Sequence, residues 1–213
     1  NEGLIGWWQL SEKKGQIAHD SSESKMPATI YGARSTNKGR FGRALVFDGK
    51  NDRLVLPPIT AGLRTFSFSM WVRTTEDGGD DTFWHRPCLM GLATEGMNSG
   101  DLAITTNNGY IGFYHGLTVD GDLHYLSKKT RINDGEWHHV ALTCDGASMK
   151  LFVDGALEAQ LPTRTALTRA PFLVGAMGGM DKHRYNHSGI IDDLRVYNRA
   201  LSGTEVMSLA RPK

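Results

Sequence analysis

The sequence predicts an all-β protein, a two-sheet antiparallel β-sandwich (jelly roll) with a short C-terminal helix. Three observations predict it. Turn-forming clusters recur at short spacing, the runs between them alternate with period two, and a single segment carries helix signals. The turn clusters are FDGKND (47–52), EDGGDD (76–81), NNG (107–109), DGD (120–122), NDGE (133–136), CDGAS (144–148) and VDG (153–155). Many short strands with regular turns are the pattern of a sandwich or jelly roll.

The elements follow in order. In FSFSMWV (66–72), Phe66, Phe68, Met70 and Val72 share one face, and Ser67, Ser69 and Trp71 share the other. DLAITT (101–106) leads into NNGYIGFYHG (107–116), which reads as a hairpin with Ile111 and Phe113 facing the core. Tyr110 and Tyr114 then fall on the outward face with their hydroxyls free. KLFVDGALEAQ (150–160) is a second hairpin, because Asp-Gly suits a twisted two-residue connection. At the C-terminus, Ser202 and Glu205 have capping-box spacing, and Val206 and Leu209 give a short apolar face. No second domain, fixed-period repeat or low-complexity linker interrupts residues 1–213, which read as one domain.

GEWHHVALTCDG (135–146) invites a reactive reading, with two adjacent histidines and a cysteine. Strand geometry argues against it. His138 and His139 point to opposite faces and cannot grip one ion together, unlike a helical H-E-x-x-H pair. His139 and Cys144 also diverge: Trp137, His139, Ala141 and Thr143 share one face, and His138, Val140, Leu142 and Cys144 share the other.

Apolar residues make up 39 % and charged residues 22 %, enough to bury a core and too ordered a balance for a disordered chain. A formal charge of +1 without a dense basic cluster gives no sign of a nucleic-acid partner. No apolar run reaches membrane-spanning length. The chain opens on Asn1 and reads as a domain trimmed from a longer or processed protein. Cys88 and Cys144 permit at most one internal disulfide.

Period-two alternation raises a question in GIIDDLRVY (189–197). If Leu194 and Val196 face the core, Asp192 points inward too, and an inward carboxylate needs partners or a metal. Asp52 raises the same question, sharing a face with Leu54 and Leu56. Calcium, which takes carboxylate and carbonyl oxygens, is one answer.

Seven stretches stand in a familiar order: GLIGWWQL, HDSS, GRFGRALVFDGKNDRLVLP, FSFSMWV, DGEWHHVAL, KLFVDG and GIIDDLRVYNRALSGTEV. With them the chain resembles the laminin-G-like, concanavalin A-like jelly rolls found as modules of secreted and cell-surface proteins. The resemblance implies a secreted or cell-surface location and a framework role for the Trp-His-His strand, with Trp137 filling core volume. It implies a structural calcium held by Asp20, the Gly49 carbonyl and Asp192. The competing reading gives Asp20 an Asx-type turn and Asp192 backbone amides, without metal. Where relatives often carry an aromatic residue, this chain has Cys144, which leaves open a pairing with Cys88.

This sandwich hosts lectins, adhesins and enzymes alike. Laminarinase-type enzymes place carboxylates alternately along one strand as E-x-D-x-E, a pattern missing here. Alginate-lyase-type enzymes use a Gln-Ile-His strand, whereas QIAH (16–19) carries an extra residue. The chain has no G-x-S-x-G elbow and no phosphate-binding G-x-x-x-x-G-K. The expectation is therefore a non-catalytic carbohydrate-binding module.

Sugar recognition calls for flat aromatic faces and planar polar groups. Candidates are Trp84, His85 and Arg86, then Asn98 and Asp101, then Tyr110 and Tyr114. His124 and Tyr125 follow, and His183, Arg184 and Tyr185 lie between flexible glycines. Aromatic residues beside Arg and His suit a glycan or polysaccharide, an acidic or sulfated one included. The alternatives are a protein- or matrix-binding adhesion module and a divergent polysaccharide-active enzyme.

Overall fold

The computed structural model describes residues 2–78, 86–92, 100–116, 123–163, 166–177 and 186–211. The alternating runs become strands β1 (Leu4–Trp8), β2 (Ile17–Ala18), β3 (Ala28–Tyr31), β4 (Arg34–Gly39), β5 (Gly42–Asp48), β6 (Arg53–Val55) and β7 (Thr65–Arg73). They continue as β8 (Cys88–Leu92), β9 (Leu102–Asn107), β10 (Tyr110–His115), β11 (Leu123–Arg131) and β12 (Trp137–Asp145). The last strands are β13 (Ser148–Val153), β14 (Ala156–Pro162), β15 (Leu173–Val174) and β16 (Ser188–Tyr197), followed by helix α1 (Gly203–Leu209).

Two antiparallel sheets result. Sheet A runs β14-β13-β12-β7-β16-β5-β4, with β1 also paired to β16. Sheet B runs β11-β10-β9-β8-β15-β6-β3-β2. Both expected hairpins form. Asn108 and Gly109 (φ 50° and 76°) join β9 to β10, and Asp154 and Gly155 (φ 51° and 81°) join β13 to β14. Two successive positive φ values match the right-handed strand twist, which is why Asn-Gly and Asp-Gly stand there.

Between the sheets, Phe66, Phe68, Met70 and Val72 of β7 meet Val140, Leu142 and Cys144 of β12 in one core with Ile104, Ile111 and Phe113 of sheet B. The alternation read from the sequence holds for both β7 and β12. Phe68 packs on Phe172 at 4.8 Å between ring centroids and on Phe66 at 5.4 Å. On the outer face of sheet A, Ala141, Phe152, Tyr197, Leu201 and Val206 seat the helix. Ser202 and Glu205 form its capping box.

A polar seam closes one side of the sandwich. Glu158 of β14, buried, accepts from the hydroxyls of Ser127 and of Thr130 (2.8 Å), both on β11. His115, also buried, shares a 2.8 Å bond with Thr163 just beyond β14. Edge strands of the two sheets are thus joined by satisfied polar groups.

Two sequence expectations need correction, and one open question, the cysteine pairing, is answered. Trp137 does not fill the core: it lies on the outer side of β12 with His139, half-buried, and among the described residues Trp8 and Trp71 are the buried indoles. Cys88 and Cys144 are both free, because Cys88 packs on the outer face of sheet B and Cys144 lies between the sheets. Asp192 does not point between the sheets. In β16 the pairing with β7 jumps from Asp192↔Trp71 to Arg195↔Ser69, so two residues oppose one. Asp193 takes up the extra length at φ 49°. This β-bulge shifts the alternation by one, and Asp192 joins Trp71 on the outer face while Ile191 and Leu194 both reach the core.

Phe68→Ala should lower stability by about 3–5 kcal/mol, the usual cost of emptying a buried aromatic site. In a domain of this size that corresponds to a melting temperature lower by roughly 10 °C, readable by calorimetry.

Candidate functional site

Sheet B turns one face to the core and the other outward, and the outward face mixes apolar and polar groups. On β9, Leu102 and Ile104 enter the core, which leaves Ala103 and Thr105 outside. Cys88, Ala103 and Tyr114 pack together there, with Met177 against them. Tyr114 pairs with His124 across β10 and β11, and their rings lie 5.1 Å apart at 42°. His124 is exposed, whereas Tyr114 is covered. Asp101, fully buried, stands just before β9, and Arg86, at 9 % exposure, stands two residues before Cys88. The Thr105 hydroxyl is buried on this face and finds no hydrogen-bond partner among the described residues.

The candidate residues therefore separate into groups. Tyr114 and His124 meet on sheet B's outer face, whereas Asp101 stands at the start of β9 and Arg86 beside its other end, where Thr106 donates to the Pro87 carbonyl. Tyr110 shares that side at the far end of β10, where the Arg131 guanidinium lies over its ring at 5.0 Å. The expectation of free hydroxyls fails for Tyr114, which is wholly buried. Tyr125 leaves the set: it pairs with Phe113 on the core side and directs its hydroxyl to the Glu158 carbonyl at 3.4 Å. Trp84, His85, Asn98, His183, Arg184 and Tyr185 lie outside the described residues. Thr105 was missed by the sequence reading, and its place between two core-facing neighbours was the available signal.

Among the described residues the Trp-His-His strand forms no triad. Ser69 and His139 do share a 2.8 Å bond, which superficially suggests a nucleophile and its base. Both are buried, and Asp154 accepts from the His139 backbone N–H at 2.8 Å without orienting its ring. His139 Nδ1 has no partner among the described residues. A triad needs an acid on that nitrogen and an accessible hydroxyl. His138, on the other side, bonds Asp154 at 2.7 Å and Asp134 at 3.1 Å.

At the proposed cation position, both carboxylates are already occupied. Asp20 accepts from the Trp7, Ser22 and Met26 amides and from the Ser22 hydroxyl, all within 2.8–3.0 Å. Asp192 accepts from the amides of Phe41 (3.0 Å) and Asp193 (2.8 Å). Gly49 approaches Ser188 so closely that a Cβ would come within 3.0 Å of the serine side chain. Among the described residues no three His, Cys, Asp or Glu side chains gather as metal ligands. Asp20 and Asp192 thus carry the backbone-amide bonds of the metal-free reading.

Fold and outer face together define a jelly-roll sandwich of the lectin and glucanase class. Residues 48–207 match the Laminin_G_3 family, and the chain belongs to this branch of the concanavalin A-like lectin/glucanases superfamily. No curated protein matches it. Among solved structures it is similar to domain 4 of AbnA, a GH43 extracellular arabinanase from Geobacillus stearothermophilus, in complex with arabinotriose. That likeness has 22 % identity and a TM-score of 0.74 and covers 98 % of both chains. The binding domain of Paraclostridial Mosquitocidal Protein 1 is similar at 15 % identity and TM-score 0.75, over 98 % of this chain and 52 % of that one. A Trypanosoma rangeli sialidase in complex with 2,3-difluorosialic acid is similar at 20 % identity and TM-score 0.70, over 98 % of this chain and 32 % of that one. The chain thus spans about half of the toxin domain and a third of the sialidase. No helix among the described residues is long and apolar enough to cross a membrane.

Buried histidines give the domain an acid limb. Desolvation lowers both His115 and His139 to about 4, so each binds fewer protons folded than unfolded across pH 4 to 6.5. Their stabilisation is present above about pH 6.5 and lost as pH falls toward 4. Asp192, raised to about 6 by burial, acts in the opposite sense: its charged form costs stability as pH rises from about 4 to 6. Two histidines against one carboxylate leave a net loss on acidification. The urea midpoint should therefore be lower at pH 4.5 than at pH 6.5, and His139→Gln should remove most of that difference, since the remaining histidine and Asp192 then oppose each other.

Proposed function

We propose that the chain is a non-catalytic carbohydrate-binding module of a secreted or cell-surface protein, with its site on the outer face of sheet B. One observation carries this reading: the exposed His124 ring lies 5.1 Å from the Tyr114 ring on a sheet face that is not the core. The Thr105 hydroxyl on the same face has no hydrogen-bond partner among the described residues. Aromatic rings receive the C–H faces of sugars, and polar groups fix their hydroxyls. Arg86 and His124 suit a carboxylate or sulfate on the glycan. Strands β8 to β11 contain no Asp or Glu, so the paired carboxylates that flank a bond in glycosidases are not supplied by this face. Its likeness to a domain of an extracellular arabinanase, solved with arabinotriose, supports both the ligand class and the location.

Saturable binding of a uronate or sulfated oligosaccharide is expected, with Kd raised about tenfold in His124→Ala and in Arg86→Gln, the loss of one charge-assisted contact. Calorimetric titration reads this. An array in which no glycan binds saturably, with capture of a protein ligand instead, would sink the lectin reading.

The anchors at Asp20 and Asp192 work through amides alone in this reading. Melting temperature should then be the same in calcium and in chelator. A calcium-dependent rise that Asp192→Ala abolishes would restore an ion at that position.

A further inference from the structure

The opposite side of the molecule holds a second aromatic platform, built around Trp7. β1 pairs Trp7 with Arg195 and Trp8 with Leu194. Trp8 and Leu194 enter the core, so the Trp7 ring falls on the outer face of sheet A. Its Nε1–H donates to Asp193 Oδ1 at 2.6 Å, and the Arg195 guanidinium lies over its ring at 4.7 Å. Arg195 is itself fixed by Asp193, through bonds of 2.8 and 3.1 Å from one terminal nitrogen. An indole tied at its nitrogen and covered on one side is locked in place, while the rest of the ring stays half-exposed.

Two clefts meet at this ring. The larger, about 650 Å³, is lined by Glu2, Ser21, Ser22, Glu23, Ser24 and Asn198 beside the edge of β1. The smaller, about 190 Å³, is lined by Gln9, Ser11, Phe41, Asp192 and Asp193. Trp7 lines both. Phe41, 42 % exposed, supplies a second aromatic wall. Pre-set aromatic surface surrounded by hydroxyl and amide groups is the chemistry that holds a saccharide. Charge narrows the choice. No Lys or Arg lines either cleft, whereas the exposed Glu2 and Glu23 face the larger one. Such a lining repels uronates and sulfates and accepts neutral or amine-bearing sugars.

We propose that the clefts on either side of Trp7 form a second glycan-binding site, selective for uncharged or amine-bearing saccharides. It is separate from the face of sheet B and opposite to it in charge preference. Two such sites on the outer faces of two sheets let one domain hold two different glycan chains.

The test is a titration of the ¹⁵N-labelled domain with arabinotriose, with a glucosamine trisaccharide and with trigalacturonate. The readout is the Trp7 indole N–H resonance, assigned through Trp7→Phe. A saturable shift with at least one of the first two sugars and none with trigalacturonate is expected. Phe41→Ala, at an exposed position that leaves the fold intact, should raise that Kd about tenfold. His124→Ala should leave it unchanged, which keeps this site distinct from the one on sheet B. A Trp7 resonance unmoved by either non-acidic sugar at concentrations on the order of 10 mM would overturn the proposal. So would a Kd indifferent to Phe41→Ala, or an equal response to trigalacturonate.

Discussion

The extra residue in β16 is the constraint on which the rest of sheet A depends. β16 pairs with β5 through residues 188–191 and with β1 through residues 194–197. Asp192 and Asp193 fall between those two ladders, where the strand on that side changes from β5 to β1. The bulge turns both carboxylates outward at this gap, and each secures one of the ends that meet there. Asp192 holds the Phe41 amide in the β4–β5 turn, and Asp193 holds the Trp7 indole of β1. Burial raises Asp192 to about 6 even with its amide bonds, so the join carries an electrostatic cost. That cost is localised in two side chains, and it leaves β7 free to keep a continuous apolar face against the core.

Covering of both sheet faces decides where a ligand can approach. On sheet A, the helix and its apolar seat occupy the region over β12, β13 and the end of β16. Arg40 over Trp71, at 4.5 Å, and Phe41 against the same indole, at 6.0 Å, cover the bulge. The seam through Glu158 and Thr163 closes the β11–β14 side. What remains available is the β11 side of sheet B's outer face, where His124 is exposed, and the edge beside β1. Each carries aromatic and polar groups that the core does not use. Rigid strands present them, so the groups are held in place before any ligand arrives.

Legibility in the sequence follows from how local the determinants are. The turn at Asn108–Gly109 and the one at Asp154–Gly155 were readable because two positive φ values restrict the residue types that fit. Ser202 and Glu205 were readable because a capping box is completed within four residues. The faces of β7 and β12 followed from strict alternation. The same rule failed for Asp192, since one inserted residue inverts every later assignment and leaves no mark on composition. Burial of Tyr114 and the outward turn of Trp137 were equally hidden. Alternation tells which side of a sheet a residue takes, and tertiary packing alone decides what covers that side. Thus Tyr114 and His124 could be named in advance, but not the covering of one by its surroundings and the exposure of the other.

The adjacent tryptophans of β1 show how closely architecture and recognition are joined. Trp8, fully buried, donates to the Met26 carbonyl at 3.2 Å and anchors the N-terminal segment in the core. Its neighbour, one residue earlier and so on the opposite face, becomes the platform between the two clefts. The Asp193 that fixes this platform is the residue whose positive φ makes the bulge. A strained backbone position is thus held by contacts from Trp7 and Arg195, and those contacts order the ligand-facing ring in turn. Whatever binds against Trp7 binds to the junction that closes the sheet. By mass action, such a ligand adds its binding free energy to the stability of that junction, so the chain ends and the recognition surface form one mechanical unit.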